Sequence, residues 1–168
     1  WTGEARGYGF AGKVGLTYRL HDRVTLGAVY HSETQVEDLE SDDASIRFGS
    51  SLDGSTAGTI PGKASVRDFQ WPDTYGAGVA IDATDRLMLV AEVKRINWSQ
   101  TMESFNLTFE PDAGGSIDLS LPQEWDDQTV GIFGLAFRVT DALTLRGGFN
   151  HADNPIPDRY VNPLFPAI

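Results

Sequence analysis

Few groups of residues in this sequence have the types and spacing that chemistry requires. The densest is an acidic run, made up of Glu37, Asp38, Glu40, Asp42 and Asp43. Carboxylates are the ligands that calcium prefers, so the run could hold calcium or bind lipopolysaccharide through bridging divalent ions. It lacks the spacing of an EF-hand loop. We therefore interpret it as a solvated outer loop and expect no metal site.

Candidates for catalysis are equally sparse. Residues 54–58 superficially resemble a serine-hydrolase elbow, but Thr56 stands at the centre, where the nucleophilic serine belongs. His31 and Glu33 are two residues apart and could titrate together, although we interpret them as a simple polar pair at the end of a strand. The sequence has no phosphate-binding loop and no zinc-ligand spacing. We therefore predict neither an enzyme nor a bound cofactor.

Composition excludes several classes of protein. The net charge of −11 opposes nucleic-acid binding, because phosphate contacts need a basic surface. The chain has no cysteine and therefore no disulfide framework. No apolar run approaches the roughly 18 residues of a membrane helix, and the mean hydropathy of −0.25 by itself suggests a soluble protein. A membrane β-barrel escapes that test, because its lipid-facing and lumen-facing residues alternate.

Three similar hairpins recur along the chain, and they must position the candidate residues described above. They align on a turn aspartate (Asp22, Asp85 or Asp141), and the side chains at even distances from it are apolar or small in all three copies. Because successive strand side chains point to opposite faces, this alternation predicts six strands with one apolar face. In the first strand that face comprises Tyr8, Phe10, Val14, Leu16, Tyr18 and Leu20. The predicted strand pairs are 7–20 with 23–36, 74–83 with 86–98, and 128–139 with 142–151.

The apolar face has two interpretations. In a soluble sandwich it is the core, whereas in an outer-membrane barrel it meets lipid and the other face lines the lumen. The predicted strands have the length of membrane strands, about 9–11 tilted residues, which favours the barrel. Short turns within the hairpins and long segments between them, 37–73 and 99–127, favour it too. These segments are rich in Gly, Ser, Asp and Pro, so we expect irregular loops there.

The face opposite the apolar one predicts the lining of the lumen. Most charged residues of the strands fall on it, namely Lys13, Arg19, Asp82, Glu92, Lys94, Arg138 and Arg146. Four apolar residues also fall there: Met88, Val90, Val130 and Ile132. They could contact a hydrophobic ligand, or they could pack against an internal plug or against each other.

Four pieces of sequence, taken in their order and spacing, carry a family resemblance. They are the hairpin from Gly9-Phe10 to Tyr30-His31-Ser32-Glu33, the strand end Ile96-Asn97-Trp98-Ser99, and the segments 121–127 and 153–158. On these pieces the chain resembles the FadL/TodX (OmpP1) family of outer-membrane transporters for hydrophobic compounds. The resemblance implies a barrel of about fourteen strands, of which this chain would hold about six. Six strands of this size cannot close around a lumen by themselves. We therefore expect residues 1–168 to form an all-β, antiparallel, partial transmembrane β-barrel, without the family's plug domain and closing strands.

The resemblance also implies a function. It predicts a monomeric channel of the bacterial outer membrane, surrounded by lipid and lipopolysaccharide, that takes up hydrophobic molecules such as long-chain fatty acids or aromatic hydrocarbons. Two alternatives stay open: a structural or adhesin-like barrel whose loops bind a partner, and a soluble β-sandwich. In the channel, apolar residues of the long loops would capture the ligand, among them Phe105, Leu107, Phe109, Leu119 and Leu121.

Overall fold

The computed structural model describes residues 4–49 and 56–160. Apart from two three-residue 3-10 helices, Trp98–Gln100 and Asp158–Tyr160, its regular elements in these ranges are β-strands. No helix in the described ranges is long and apolar enough to cross a membrane. The strands are β1 (Gly9–Phe10), β2 (Lys13–His21), β3 (Val24–His31), β4 (Gln35–Val36), β5 (Leu39–Gly49), β6 (Thr56–Arg67), β7 (Thr74–Asp82), β8 (Leu87–Ile96), β9 (Ser104–Pro111), β10 (Ile117–Pro122), β11 (Gln128–Arg138) and β12 (Thr144–Ala152).

Six of the strands form the wall sheet, in the order β12-β11-β8-β7-β3-β2, with every neighbouring pair antiparallel. Its three hairpins are the three that the repeat predicts, and their bounds agree to within a few residues at most ends. Two of the turns are closed by the residue before the repeat aspartate. Thr84 Oγ1 accepts a hydrogen bond from the Leu87 N–H (3.0 Å), and Thr140 Oγ1 accepts one from the Leu143 N–H (3.1 Å). The repeated turn chemistry therefore sets the register of these hairpins.

The apolar side of the wall sheet, which we name the outward face, is not sealed in a core. Leu26 is 39% exposed, Phe133 49%, Leu145 56% and Leu16 70%. In register, one row across this face reads Tyr18, Leu26, Val79, Ala91, Phe133 and Phe149. A soluble sandwich would bury these side chains together, so that alternative is wrong.

The long segments between the hairpins are not irregular, contrary to the expectation from their composition. They form the outer sheet, in the order β10-β9-β6-β5. Its hairpins connect those of the wall sheet. The hairpin β5-β6 lies between β3 and β7, with the short β4 before it, and the hairpin β9-β10 lies between β8 and β11. Cross-strand pairing therefore overrides the loop-forming composition of these segments.

The first predicted strand, 7–20, is also interrupted. Its early part pairs elsewhere, as Gly9 lies opposite Val36 and Phe10 opposite Gln35, in a separate two-stranded sheet of β1 and β4. The chain resumes at Lys13 in the wall sheet, after the Gly12 N–H donates to Ser32 Oγ at 2.8 Å. Tyr8 and Phe10 therefore do not continue the row of Val14 and Leu16 as the alternation predicts.

Candidate functional site

The inward face of the wall sheet, opposite the outward face, carries a shallow trough of about 460 Å³. One row across this face reads Thr17, Gly27, Gly78, Glu92, Ile132 and Asn150. The trough exists because β3 and β7 present small residues here. At Gly78 even a methyl group is excluded, since a Cβ would lie 2.9 Å from the Ala91 carbonyl oxygen.

Charged and apolar side chains share the sides of this trough. The carboxylate of Glu92 lies beside Gly76, where an added Cβ would be 3.3 Å from its Oε1. Lys94 Nζ lies 3.9 Å from the same oxygen, and both side chains stay partly exposed. Val90 and Ile132 contribute apolar surface to the lining. The inward face therefore combines charged and apolar side chains around one trough.

The four apolar residues predicted to face the lumen share one face in the structure. Met88 lies opposite Ala136, Val90 opposite Gly134, Ile132 opposite Glu92, and Val130 opposite Lys94. Val90 and Ile132 line the trough, whereas Met88 is 40% exposed. The sequence alternation correctly grouped these residues on the charged side of the strands.

The outer sheet has one apolar and one charged face. Ala64 pairs with Phe109 and Val66 with Leu107, while Lys63 pairs with Glu110 and Ser65 with Thr108. Strand alternation therefore places these two sets on opposite faces. The apolar face comprises Leu39, Ala64, Val66, Phe105, Leu107, Phe109, Ile117, Leu119 and Leu121.

The strands of the outer sheet continue those of the wall sheet across a junction. The pairs His31↔Thr74, Thr34↔Trp71 and Leu39↔Val66 lie on one register. Residues 37–38 and 68–70 are not part of a strand, and Asp68 has a left-handed backbone with φ of 58°. The alternation of side chains is therefore interrupted between the two sheets.

The loop residues predicted to capture a ligand lie on this apolar face, in a different sheet from the four residues on the wall. Phe109 is 4% exposed and forms a small core with Ala44 and Ala64. Phe105 and Leu107 are half-buried, and Leu119 is 45% exposed. Phe109 therefore stabilises the outer sheet from within, while its neighbours on the face stay accessible.

An aromatic ladder, which the sequence reasoning missed, marks the junction of the two sheets. Phe69, Trp71, Trp98 and Trp125 contact one another in turn, with ring centroids 5.7, 5.8 and 5.1 Å apart. Trp125 Nε1 donates to Gln123 Oε1 at 3.2 Å. The sequence did carry a signal for this ladder, because Trp71, Trp98 and Trp125 recur at equal spacing along the chain. Tryptophan is enriched at membrane–water interfaces, so we expect the ladder to lie near the edge of the membrane.

Two ionic contacts hold the segment between β10 and β11. Asp127 accepts hydrogen bonds from Ser99 Oγ (2.7 Å), the Ser99 N–H (3.1 Å) and Arg95 (2.9 Å), which lower the pKa of its carboxyl group. Hydrogen bonds from Tyr160 and Arg159 lower the pKa of Glu124. The backbone of Glu124 is left-handed, with φ of 42°. The Asp127 contacts join this segment to β8 of the wall sheet through Arg95, and the Glu124 contacts join it to the 3-10 helix Asp158–Tyr160.

The other candidates for chemistry do not assemble into sites. Within the described ranges, no three His, Cys, Asp or Glu residues are grouped to hold a metal ion. In the acidic run, Asp42 forms an ion pair with Lys63 at 2.5 Å. His31 pairs in register with Lys13 and Thr74, while Glu33 lies beyond the end of β3. Of the serine-hydrolase-like segment, residues 54 and 55 lie outside the described residues and 56–58 begin β6.

Comparison with known proteins identifies the family. The family model described as "Outer membrane protein transport protein (OMPP1/FadL/TodX)" matches residues 1–167. The chain belongs to this family. Membership in the OMPP1/FadL/TodX family places the chain in the bacterial outer membrane, as part of a β-barrel transport protein. No curated protein matches the chain.

Solved structures agree with the family assignment. The toluene transporter TodX of Pseudomonas putida is 35% identical, with a TM-score of 0.79 over 91% of this chain. The toluene transporter TbuX of Ralstonia pickettii is 32% identical, with a TM-score of 0.76 over 89%. The monoaromatic hydrocarbon channel CymD is 27% identical, with a TM-score of 0.80 over 89%. This chain spans 37% of the length of TodX and of TbuX and 38% of CymD.

Proposed function

We propose that this chain forms part of the wall and outer rim of a channel through which hydrophobic molecules, such as long-chain fatty acids or aromatic hydrocarbons, cross the outer membrane. The observation that carries the proposal is the accessible apolar face of the outer sheet, where Ile117 and Leu119 are 51% and 45% exposed. This sheet lies beyond the strands whose outward face would meet lipid, so its apolar surface is not needed to hold the barrel in the membrane. It suits the capture of a hydrophobic solute.

In this proposal the chain supplies two contact regions. Phe105 and Leu107 belong to an outer capture surface, and Val90, Val130 and Ile132 belong to the passage along the inward face. Met88 would be a further contact near the short turns. Movement of a solute along such surfaces needs no bond making, so we assign no catalytic residue, metal or cofactor. TodX and TbuX, described as toluene transporters, and CymD, described as a monoaromatic hydrocarbon channel, support this class of solute.

The same proposal implies what surrounds this chain in the membrane. Residues 1–168 are one section of a larger barrel, whose outward face contacts lipid and lipopolysaccharide. We expect the complete barrel to be monomeric, because closure removes the free strand edges through which sheets associate.

Uptake by intact cells tests the channel function. Initial uptake of radiolabelled toluene and of a long-chain fatty acid would be compared in cells with and without the full-length gene. We expect the gene to increase uptake of at least one of them. If the gene changes neither rate but cells lose adhesion to a surface or partner without it, the structural or adhesin-like alternative is correct.

A pair of variants tests the route. Ile132→Trp places a large ring in the inward trough, and Phe133→Trp places the same ring on the outward face of the same strand. We expect Ile132→Trp to slow uptake and Phe133→Trp to leave it unchanged at equal barrel abundance. Equal effects of the two variants would exclude the trough as the route.

A further inference from the structure

The negative charge of this chain is concentrated in its outer part. Residues 32–73 and 97–127 contain 16 of the 24 Asp and Glu residues but only 3 of the 13 Lys and Arg residues, a net charge of −13. The remainder of the chain therefore carries a net charge of +2. Charged rims of this kind set a potential that attracts or repels solutes before they bind.

The few cations of the outer sheet all lie on its charged face. Arg47 pairs in register with Thr59, and Lys63 and Arg67 alternate with Ala64 and Val66 along β6. Lys63 is already paired with a carboxylate, since its Nζ lies 2.5 Å from Asp42 Oδ1. Neighbouring acidic groups raise the pKa of Lys63, which keeps it charged and engaged.

The opposite face of the same sheet, which the proposed function assigns to ligand capture, presents no charged side chain among the described residues of its strands. Its accessible members are apolar, and Ile117 and Leu119 are 51% and 45% exposed. A bound amphiphile would find no cation there for an anionic head group. A desolvated carboxylate without a partner is strongly disfavoured, and the nearby negative charges add repulsion that salt screens over about 8 Å.

We propose that the outer sheet acts as a charge filter, which admits uncharged hydrophobic molecules such as hydrocarbons and alcohols and disfavours anionic amphiphiles such as ionised fatty acids. This inference rests on the proposed channel function and narrows its range of solutes. Two features together would produce this preference for uncharged solutes: the acidic outer part of the chain and the absence of a cation on the apolar face of the outer sheet.

Two solutes that differ only in the head group test the filter. Initial uptake of radiolabelled dodecanol and dodecanoate at pH 8 would be measured in cells carrying or lacking the full-length gene. We expect gene-dependent uptake of dodecanol to exceed that of dodecanoate by about tenfold or more. Raising the ionic strength should increase dodecanoate uptake and leave dodecanol uptake unchanged, because only the anion experiences the potential.

Matched lysine variants locate the filter. Leu119→Lys places a cation on the apolar face, and Ser120→Lys places the same cation on the charged face of the same strand. Leu119→Lys should raise the ratio of dodecanoate to dodecanol uptake severalfold, and Ser120→Lys should raise it less.

The uptake measurements distinguish a failure of the filter from a failure of the channel. Equal gene-dependent uptake of both solutes by the wild-type protein, without salt dependence, would overturn the filter and leave the channel intact. Gene-independent uptake of both would overturn the channel and the filter with it. A ratio unchanged by Leu119→Lys in a normally assembled barrel would show that the apolar face does not discriminate.

Discussion

One arginine placed on either side of the wall sheet tests which face meets lipid. Phe133 and Ile132 are neighbours on β11. Phe133 points outward between Ala91 and Phe149, and Ile132 points inward opposite Glu92. Phe133 lies midway along the outward positions of its strand, near the expected midplane, where a charged side chain on the lipid face costs about 2–4 kcal/mol.

The magnitude can be isolated with a third variant. Phe133→Ala removes the ring without adding charge, so the difference in unfolding free energy between Phe133→Arg and Phe133→Ala is the cost of the charge in lipid. Ile132→Arg puts the same charge inside, opposite Glu92, where a cross-strand ion pair contributes roughly 0.2–1 kcal/mol in its favour. We expect a much smaller cost there.

The assay is reversible urea unfolding of the full-length barrel in lipid vesicles, followed by tryptophan fluorescence. A Phe133→Arg variant as stable as Phe133→Ala would refute the assignment of the outward face to lipid. So would a greater loss of stability from Ile132→Arg than from Phe133→Arg.

Three further predictions concern the outer sheet and its junction with the wall sheet. Phe109→Ala should destabilise the outer sheet by about 3–5 kcal/mol, because it leaves a cavity in a buried core. Limited proteolysis should then cleave the outer sheet faster and leave the wall sheet intact. Glu124→Gly should lower the thermal unfolding temperature less than Glu124→Ala does. Both variants lose the ion pair with Arg159 (2.7 Å), but only glycine adopts the left-handed backbone at this position without strain. Equal decreases for the two variants would argue against backbone strain at residue 124. Asp127 has a lowered pKa in the folded state, so its stabilisation is present above the pKa of the unfolded chain and is lost as pH falls through the folded value. The protection factor of the Ser99 amide, which is the intrinsic exchange rate divided by the observed rate at the same pH, should therefore fall in acid. Asp127→Asn should abolish that pH dependence.

The hairpin repeat shows how much of the fold the local sequence pattern predicts. The turn aspartates and the alternation around them predicted three hairpins and the face on which the side chains of the wall sheet lie. Strand geometry has a period of two, so a register set by the turn assigns every later residue to a face. Met88 and Val130 were therefore grouped correctly on one face although they belong to strands far apart in sequence.

The outer sheet shows where local pattern failed. Phe105, Leu107 and Phe109 alternate with polar residues just as the wall strands do, and so do Ile117, Leu119 and Leu121. Glycine, serine and proline nearby suggested irregular loops instead, because composition reports an average over a segment and pairing depends on partners far away. The aromatic ladder escaped notice for the same reason, since its members are brought together only when separate hairpins align.

The sequence by itself determined the strands of the wall sheet, their turns and their two-sidedness, because these depend on neighbours one to a few residues apart. It also carried the resemblance to a transporter family, in four pieces spread along the chain. The tertiary structure alone decided that the long segments pair into a second sheet and that Phe109 is buried while Leu119 is accessible. The physical reason is that strand pairing and burial depend on partners far away in the sequence, and no single segment contains that information.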